Sequence, residues 1–155
     1  VQYHFVVSFK ALNEFVQHST FTNKNVYSLI SSYFLPLLSN EGVFILSDVT
    51  TKLNNSELFY PQVLNAGVNS FVGSCKNEFK TLYPYPCYFQ EISCKGCYMQ
   101  DIFTVSHSRK KNDVSKVAYR IICRKRFADA IVASDFNHSC RKNNPLADKK
   151  LPYNY

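Results

Sequence analysis

The cysteines are the residues whose spacing points most directly to chemistry. Cys87, Cys94 and Cys97 follow a Cys-x6-Cys-x2-Cys pattern, with a glycine that permits a tight turn between the last two. Thiolates at the x2 spacing can hold one soft ion, so this segment predicts a zinc site or an iron–sulfur cluster. Cys75 upstream and Cys123 downstream are the candidates for a fourth ligand. The alternative is that these cysteines are buried as small apolar residues, a common fate of free thiols.

Other thiol chemistry receives less support from the sequence. Six cysteines could form disulfides in a secreted protein, but a chain of 155 residues that is 46% apolar does not need them. The opening residues also lack a basic region and a cleavage site, so no signal peptide is predicted. We therefore expect reduced thiols inside the cell, in the cytoplasm or the mitochondrial matrix. A catalytic thiol would need a histidine in contact, and the proximity of His107 in sequence does not establish one.

A second set of residues could bind a polyanion. The chain has a formal net charge of +7, and eight of its cations fall in one stretch that is opposed only by Asp113. Cations on an exposed turn release counterions when they meet phosphates, so the stretch predicts binding to RNA or a ribosomal subunit. The alternative is a solvated turn that keeps the protein soluble. The eight cations are Arg109, Lys110, Lys111, Lys116, Arg120, Arg124, Lys125 and Arg126.

Several classes of protein are disfavoured. No apolar run reaches the roughly 18 residues that span a bilayer. A metal-dependent nuclease needs clustered carboxylates, and those of this chain stand singly. The chain also has no glycine-rich phosphate loop. Its glycines are Gly42, Gly67, Gly73 and Gly96.

The first half of the chain predicts an α/β fold. A nearly continuous apolar strand is expected at 3–9 and a second at 43–49, both typical of a mainly parallel sheet. Helical spacing predicts a helix at 10–18, a helix that Asn25 caps and residues 40–42 end, and a helix at 62–72.

The second half changes character. Residues 75–98 predict an irregular loop, because prolines and the cysteine turn interrupt any periodicity. Strands at 102–106 and 116–123 are expected to form an antiparallel pair around the basic turn, with 127–132 as a continuation of the second strand. Residues 1–134 would form one domain, and 135–155 a polar peripheral tail.

Two groups of segments resemble a known family. Residues 5–14 and 42–49 resemble the fourth and fifth strands of class I S-adenosylmethionine-dependent methyltransferases. Residues 84–97 and 106–119 are similar to the tail of methyltransferase-like proteins of the mitochondrial ribosomal small subunit and their bacterial relatives, in which clustered metal-binding cysteines precede a basic stretch.

The resemblance implies the C-terminal part of a Rossmann-like methyltransferase sheet with a cysteine-rich loop. Ser8, Lys10 and Asp48 would then lie at the cleft that receives S-adenosylmethionine and substrate, and the cysteines would ligate zinc or an iron–sulfur cluster. The glycine-rich loop that holds the cofactor in this family is missing. We therefore expect a cofactor-binding half upstream of Val1 or on a partner chain, and no activity without it.

Overall fold

The computed structural model describes residues 1–16, 25–75, 78–83 and 100–133. They form an α/β structure around one mixed sheet of five strands. Four strands follow the order β1-β2-β5-β3, and the fifth strand, β4, pairs with β5. The strands are β1 (Tyr3–Phe9), β2 (Leu38–Asp48), β3 (Phe79–Tyr83), β4 (Gln100–His107) and β5 (Lys110–Arg124). The helices are α1 (Asn13–Val16), α2 (Val26–Phe34), α3 (Tyr60–Ser74) and α4 (Lys125–Ala133).

The predicted strands of the first half are confirmed, but they form the one parallel pair among the described strands, so the sheet is mixed and the prediction of a mainly parallel sheet is wrong. β1 and β2 run parallel, with Phe5 opposite Val43 and Phe9 opposite Ser47. β5 then joins β2 antiparallel and pairs with both β3 and β4, so the expected late antiparallel pair is also present. No helix in the described ranges is long and apolar enough to cross a membrane.

The helix that Asn25 caps is shorter than the sequence predicts. The Asn25 side chain accepts hydrogen bonds from the backbone amides of Tyr27 (3.0 Å) and Ser28 (3.3 Å), as an N-cap does. The predicted stop at residues 40–42 is wrong, because a 3-10 turn containing Pro36 already ends the helix and β2 begins at Leu38. Gly42 instead lies in β2, where a Cβ atom would come within 2.6 Å of a backbone oxygen of β1.

The core lies on one side of the sheet, which we call the helix face because α2 and α3 cover it. Residues that are direct neighbours across strands point to the same side. The largest fully buried side chains there are Tyr27, Leu35, Leu38, Phe44, Leu46, Leu64, Val68 and Ile122.

The opposite side, the far face, is covered by α4 near β3 and β5. The prediction that 127–132 continues the strand is wrong, because these residues lie in α4. Ala128 is buried in this helix, and Lys125 pairs with Asp129 one turn later (2.6 Å). Asp129 also pairs with Lys80 of β3 (3.1 Å). Alternating apolar residues over so short a segment are compatible with either structure, and packing on the sheet decides between them.

Other boundaries also differ from the predictions. β3 lies within the segment that was expected to be an irregular loop, and α3 extends beyond the predicted 62–72 at both ends. Of the helix expected at 10–18, the structure describes only the single turn of α1. The predicted cysteine loop beyond residue 83 and the predicted tail after residue 134 lie outside the described residues.

Candidate functional site

The parallel strands β1 and β2 end side by side, and we call this end of the sheet the carboxyl edge. Open α/β sheets bind their ligands at this position. The predicted residues Ser8, Lys10 and Asp48 all lie at or next to it. Asn13, at the start of α1, joins them through a hydrogen bond to Asp48. The candidate site is therefore the loop after β1 together with the end of β2.

Lys10 holds this loop in an unusual conformation. Its φ angle is 48°, in the left-handed region, which costs a residue other than glycine roughly 1–2 kcal/mol. Its backbone amide donates to the oxygen of Ser47 (2.8 Å), and its Nζ donates to Oγ of Ser115 on β5 (2.7 Å). Backbone strain of this kind concentrates at functional sites.

Asp48 is fully buried and organises the same loop. Its carboxylate accepts hydrogen bonds from the amide of Asn13 (2.8 Å), the amide of Val49 (2.8 Å) and the hydroxyl of Tyr27 (3.0 Å). Burial raises the pKa of the carboxyl group, and these hydrogen bonds oppose part of the rise. The structure thus places Asp48 at the predicted edge, but with its oxygens committed to holding the loop.

Two tyrosines stand beside this carboxylate. Burial, and after it the charge of Asp48, raises the pKa of Tyr27 far above its ordinary value. The same two causes raise the pKa of Tyr60, whose hydroxyl donates to the backbone oxygen of Asn13 (3.4 Å). Both side chains therefore remain protonated hydrogen-bond donors and are not general bases.

Two polar atoms at the carboxyl edge are buried and have no hydrogen-bond partner within the described part of the chain. They are Oδ1 of Asn13 and Oγ of Ser47. Buried polar atoms are normally satisfied, so each is a contact that a bound polar group or water can supply. Sequence reasoning missed Asn13, because it lies inside a predicted helix. Ser47 belongs to the polar end of the predicted strand 43–49, but the sequence does not show that its hydroxyl lacks a partner. Each of these oxygen atoms can accept a hydrogen bond from a donor group of a ligand, and Nζ of Lys10 adds a positive charge at the same edge.

The structure separates the eight predicted nucleic-acid contacts. Arg109, Lys110 and Lys111 are exposed at the tight turn between β4 and β5. Lys116 lies further along β5, opposite Ile102. Arg120 is only 2% exposed and donates to the side chain of Asn65 on α3 and to a backbone oxygen, so in this structure its guanidinium group links the sheet to α3.

The remaining three cations lie at the other end of β5, in an open groove of about 640 Å³. Arg124 pairs there with Glu78 (2.6 Å) and donates to the backbone oxygen of Leu38 (3.1 Å). Lys125 pairs with Asp129, whereas Arg126 is exposed. Because carboxylates also line the groove, it is much less cationic than the sequence suggests.

The two described cysteines lie on opposite sides of the sheet. Cys75, at the end of α3, is half-buried against the core of the helix face. Cys123 is buried on the far face beneath α4, where burial raises its pKa to about 11. In this arrangement the two sulfurs cannot ligate one ion. No group of three potential metal ligands occurs among the described residues, and Cys87, Cys94 and Cys97 lie outside them.

This difference in burial predicts a difference in reactivity. An uncharged maleimide, which alkylates thiols, should label Cys75 of the folded protein at pH 8 and leave Cys123 unmodified. The reason is that a protonated, buried thiol is a poor nucleophile. Peptide mass spectrometry before and after unfolding in urea would measure the labelling of each site. Labelling of Cys123 in the folded protein at the rate seen in urea would contradict the placement of α4.

Comparison with known proteins gives this chain no relative. No protein-family model, curated protein or solved structure matches it.

Proposed function

We propose that this chain is the substrate-side part of an S-adenosylmethionine-dependent methyltransferase directed at RNA, and that it needs a cofactor-binding part for activity. The observation that carries the proposal is the open edge of β1. In the described part of the chain, β1 has β2 as its one neighbour, and its far-face side chains are exposed: Phe5 by 72%, Val7 by 61% and Phe9 by 57%. Parallel strands are normally covered on both faces.

The order and direction of the strands also support the proposal. A parallel pair is joined by an antiparallel strand, as in many doubly wound sheets. Such sheets bind their cofactors at the carboxyl ends of parallel strands. A Rossmann-like sheet continued beyond β1 would place its next strand beside the loop that contains Lys10. A helix of the added part that packs on the far face would bury the exposed apolar residues of β1 in a larger core.

The carboxyl edge fits the substrate side of such a site. S-adenosylmethionine, when bound, would supply the methyl group that is transferred. The unsatisfied Oδ1 of Asn13 and Oγ of Ser47 can receive donors from cofactor or substrate, and Nζ of Lys10 adds positive charge at the same edge. Asp48 fixes the loop that presents these groups, through the hydrogen bonds to its carboxylate.

The metal site remains part of the proposal. We propose zinc or an iron–sulfur cluster held by Cys87, Cys94 and Cys97, with Cys75 as the fourth ligand. Cys75 is favoured over Cys123 because its sulfur is partly accessible, whereas the thiol of Cys123 is buried beneath α4 and stays protonated.

A second candidate is a non-catalytic, metal-stabilised module that binds nucleic acid or a ribosomal surface. The observation that favours it is the state of the ionisable groups at the carboxyl edge. Asp48 is committed to structural hydrogen bonds, and Tyr27 stays protonated, so neither can act as a base. A binding module would need no cofactor and would show no methyl transfer in any context.

Methyl transfer from radiolabelled S-adenosylmethionine to RNA separates the two candidates. The chain alone is expected to be inactive, and a protein extended by the reading frame upstream of Val1 is expected to be active. Lys10→Gly in the extended protein should lower the rate by about tenfold or more, although glycine accepts the φ angle of position 10 without strain.

A lysine far from the carboxyl edge provides the matched control. Lys52→Gly removes an exposed ion pair with Glu57 and should leave the methyl-transfer rate unchanged. An extended protein that neither binds S-adenosylmethionine nor transfers the methyl group would rule out the methyltransferase proposal.

A further inference from the structure

Half of β5 extends beyond the end of β2. Only residues 118–123 of β5 pair with β2, whereas its residues 110–117 pair with β4 alone among the described strands. These residues and β4 form a two-stranded ribbon that we call the arm. At 3.2–3.4 Å per residue, the eight residues of β5 in the arm span about 26 Å.

The arm projects from the carboxyl edge. Ala118, where the arm begins, is the partner of Asp48 at the end of β2, so the arm continues past the point where the parallel strands stop. Its base is tied to the candidate site by the hydrogen bond from Nζ of Lys10 to Ser115 (2.7 Å). A molecule held along the arm would therefore lie next to the loop after β1.

The tip of the arm is cationic. Arg109, Lys110 and Lys111 are exposed there. One carboxylate reduces the charge, because Asp113 accepts from Lys110 (2.7 Å) and lies 3.4 Å from Nε2 of His107. Pairing with Lys110, and then with His107, lowers the pKa of Asp113 below its usual range, so this carboxylate is charged at neutral pH.

Four of the other predicted cations lie away from the arm, whereas Lys116 lies on its β5 strand. Arg120 is inside the protein, and Arg124 to Arg126 lie at the far end of β5. The fourteen-residue interval from Lys110 to Arg124 corresponds to about 46 Å of extended strand. The predicted basic surface is thus divided, and only its arm portion lies beside the carboxyl edge.

We propose that the arm binds the phosphate backbone of a nucleic-acid substrate and holds it against the carboxyl edge. Three exposed cations on a narrow ribbon suit the successive phosphates of one strand, and contacts of this kind position a nucleic acid without reading its sequence. The inference rests on the proposed function only for the choice of RNA. Binding is measured without cofactor, so it can succeed or fail independently of methyl transfer.

The test is the salt dependence of binding of the intact chain to a fluorescent single-stranded RNA of about 20 nucleotides. Three phosphate contacts predict a slope of log K against log salt of about −2. Lys111→Glu should weaken binding about tenfold and flatten the slope, whereas Arg126→Glu, at the opposite end of β5, should change neither. Asp113→Asn should strengthen binding, because it removes the carboxylate at the tip.

The Asp113→Asn variant also controls for misfolding, because a misfolded protein would not bind RNA more tightly than the wild type. Equal losses in Lys111→Glu and Arg126→Glu, or no change in either, would overturn the assignment to the arm. If polyglutamate at equal charge concentration displaces the RNA, the partner of the arm is an acidic protein and the nucleic-acid proposal is wrong. If the chain binds phosphatidylserine vesicles as tightly as RNA, the partner is a membrane surface and the proposal is also wrong.

Discussion

Replacing Asp48 with alanine is expected to lower the free energy of unfolding by about 3–5 kcal/mol, because it leaves one buried and two partly buried donors without an acceptor. The substitution removes the hydrogen bonds from the amides of Asn13 and Val49 and from the hydroxyl of Tyr27. Each unsatisfied buried donor costs about 1–3 kcal/mol, and local rearrangement recovers part of the sum. Urea denaturation followed by circular dichroism would measure the loss.

The control is an exposed carboxylate. Asp113→Ala removes ion pairs at the tip of the arm, where charges are screened by solvent, and should change the free energy of unfolding very little. If Asp48→Ala is no more destabilising than this control, the carboxylate does not organise the loop after β1.

The pH dependence of stability provides a second test of the same residue. The pKa of Asp48 is raised in the folded protein, so its contribution to stability is fully present below the unfolded pKa of about 4 and is lost as the pH rises through the folded pKa. Asp48→Asn cannot ionise, and its stability relative to the wild type should therefore improve as the pH increases from 4 to neutrality. A relative stability that falls over this range would contradict the raised pKa.

Gly67→Ala is expected to have the second large effect, a loss of about 2–3 kcal/mol, because a Cβ atom at this position would collide with the side-chain amide of Asn25. Asn25 both caps α2 and donates to the backbone oxygen of Val63 on α3 (2.9 Å). Moving its side chain therefore disturbs one helix end and the contact between the two helices. Thermal and urea denaturation would measure the effect.

Gly73 is the matched control, because it lies in the same helix and a Cβ atom there would meet nothing within 4 Å. Gly73→Ala should stabilise the protein by about 0.5–1 kcal/mol through helix propensity. Equal effects of the two substitutions would show that α2 and α3 do not approach each other as the structure describes.

The sequence predicts those features of the fold that depend on local patterns. Continuous apolar runs indicate β1 and β2, and an asparagine before an apolar stripe indicates the start of α2. The basic turn between β4 and β5 follows in the same way from alternating residues around a polar turn. Each of these features is encoded within about ten adjacent residues.

Features that depend on distant residues were missed or assigned differently. Asp48 has the sequence signature of a ligand-binding residue, but Tyr27 and Asn13, brought to it by the fold, occupy its carboxylate. Arg120 belongs to a basic stretch, but packing of α3 on β5 places its side chain in the interior. Such assignments require knowledge of which elements meet, which a local pattern does not contain.

The same limit applies to the cysteines. Sequence spacing does not distinguish Cys75 from Cys123 as the fourth metal ligand. The fold does, because the two cysteines lie on opposite sides of the sheet. Removing Cys75 and removing Cys123 are therefore different experiments, and the proposed metal site predicts loss of bound metal only in the first.

The open edge of β1 carries the proposed function, and the most direct test is to sequence the transcript upstream of Val1. We predict codons for further strands and helices, including a strand that ends in a glycine-rich turn able to hold the cofactor. A start codon immediately before Val1 would contradict this prediction, because no cofactor-binding half could then precede β1 in the same protein.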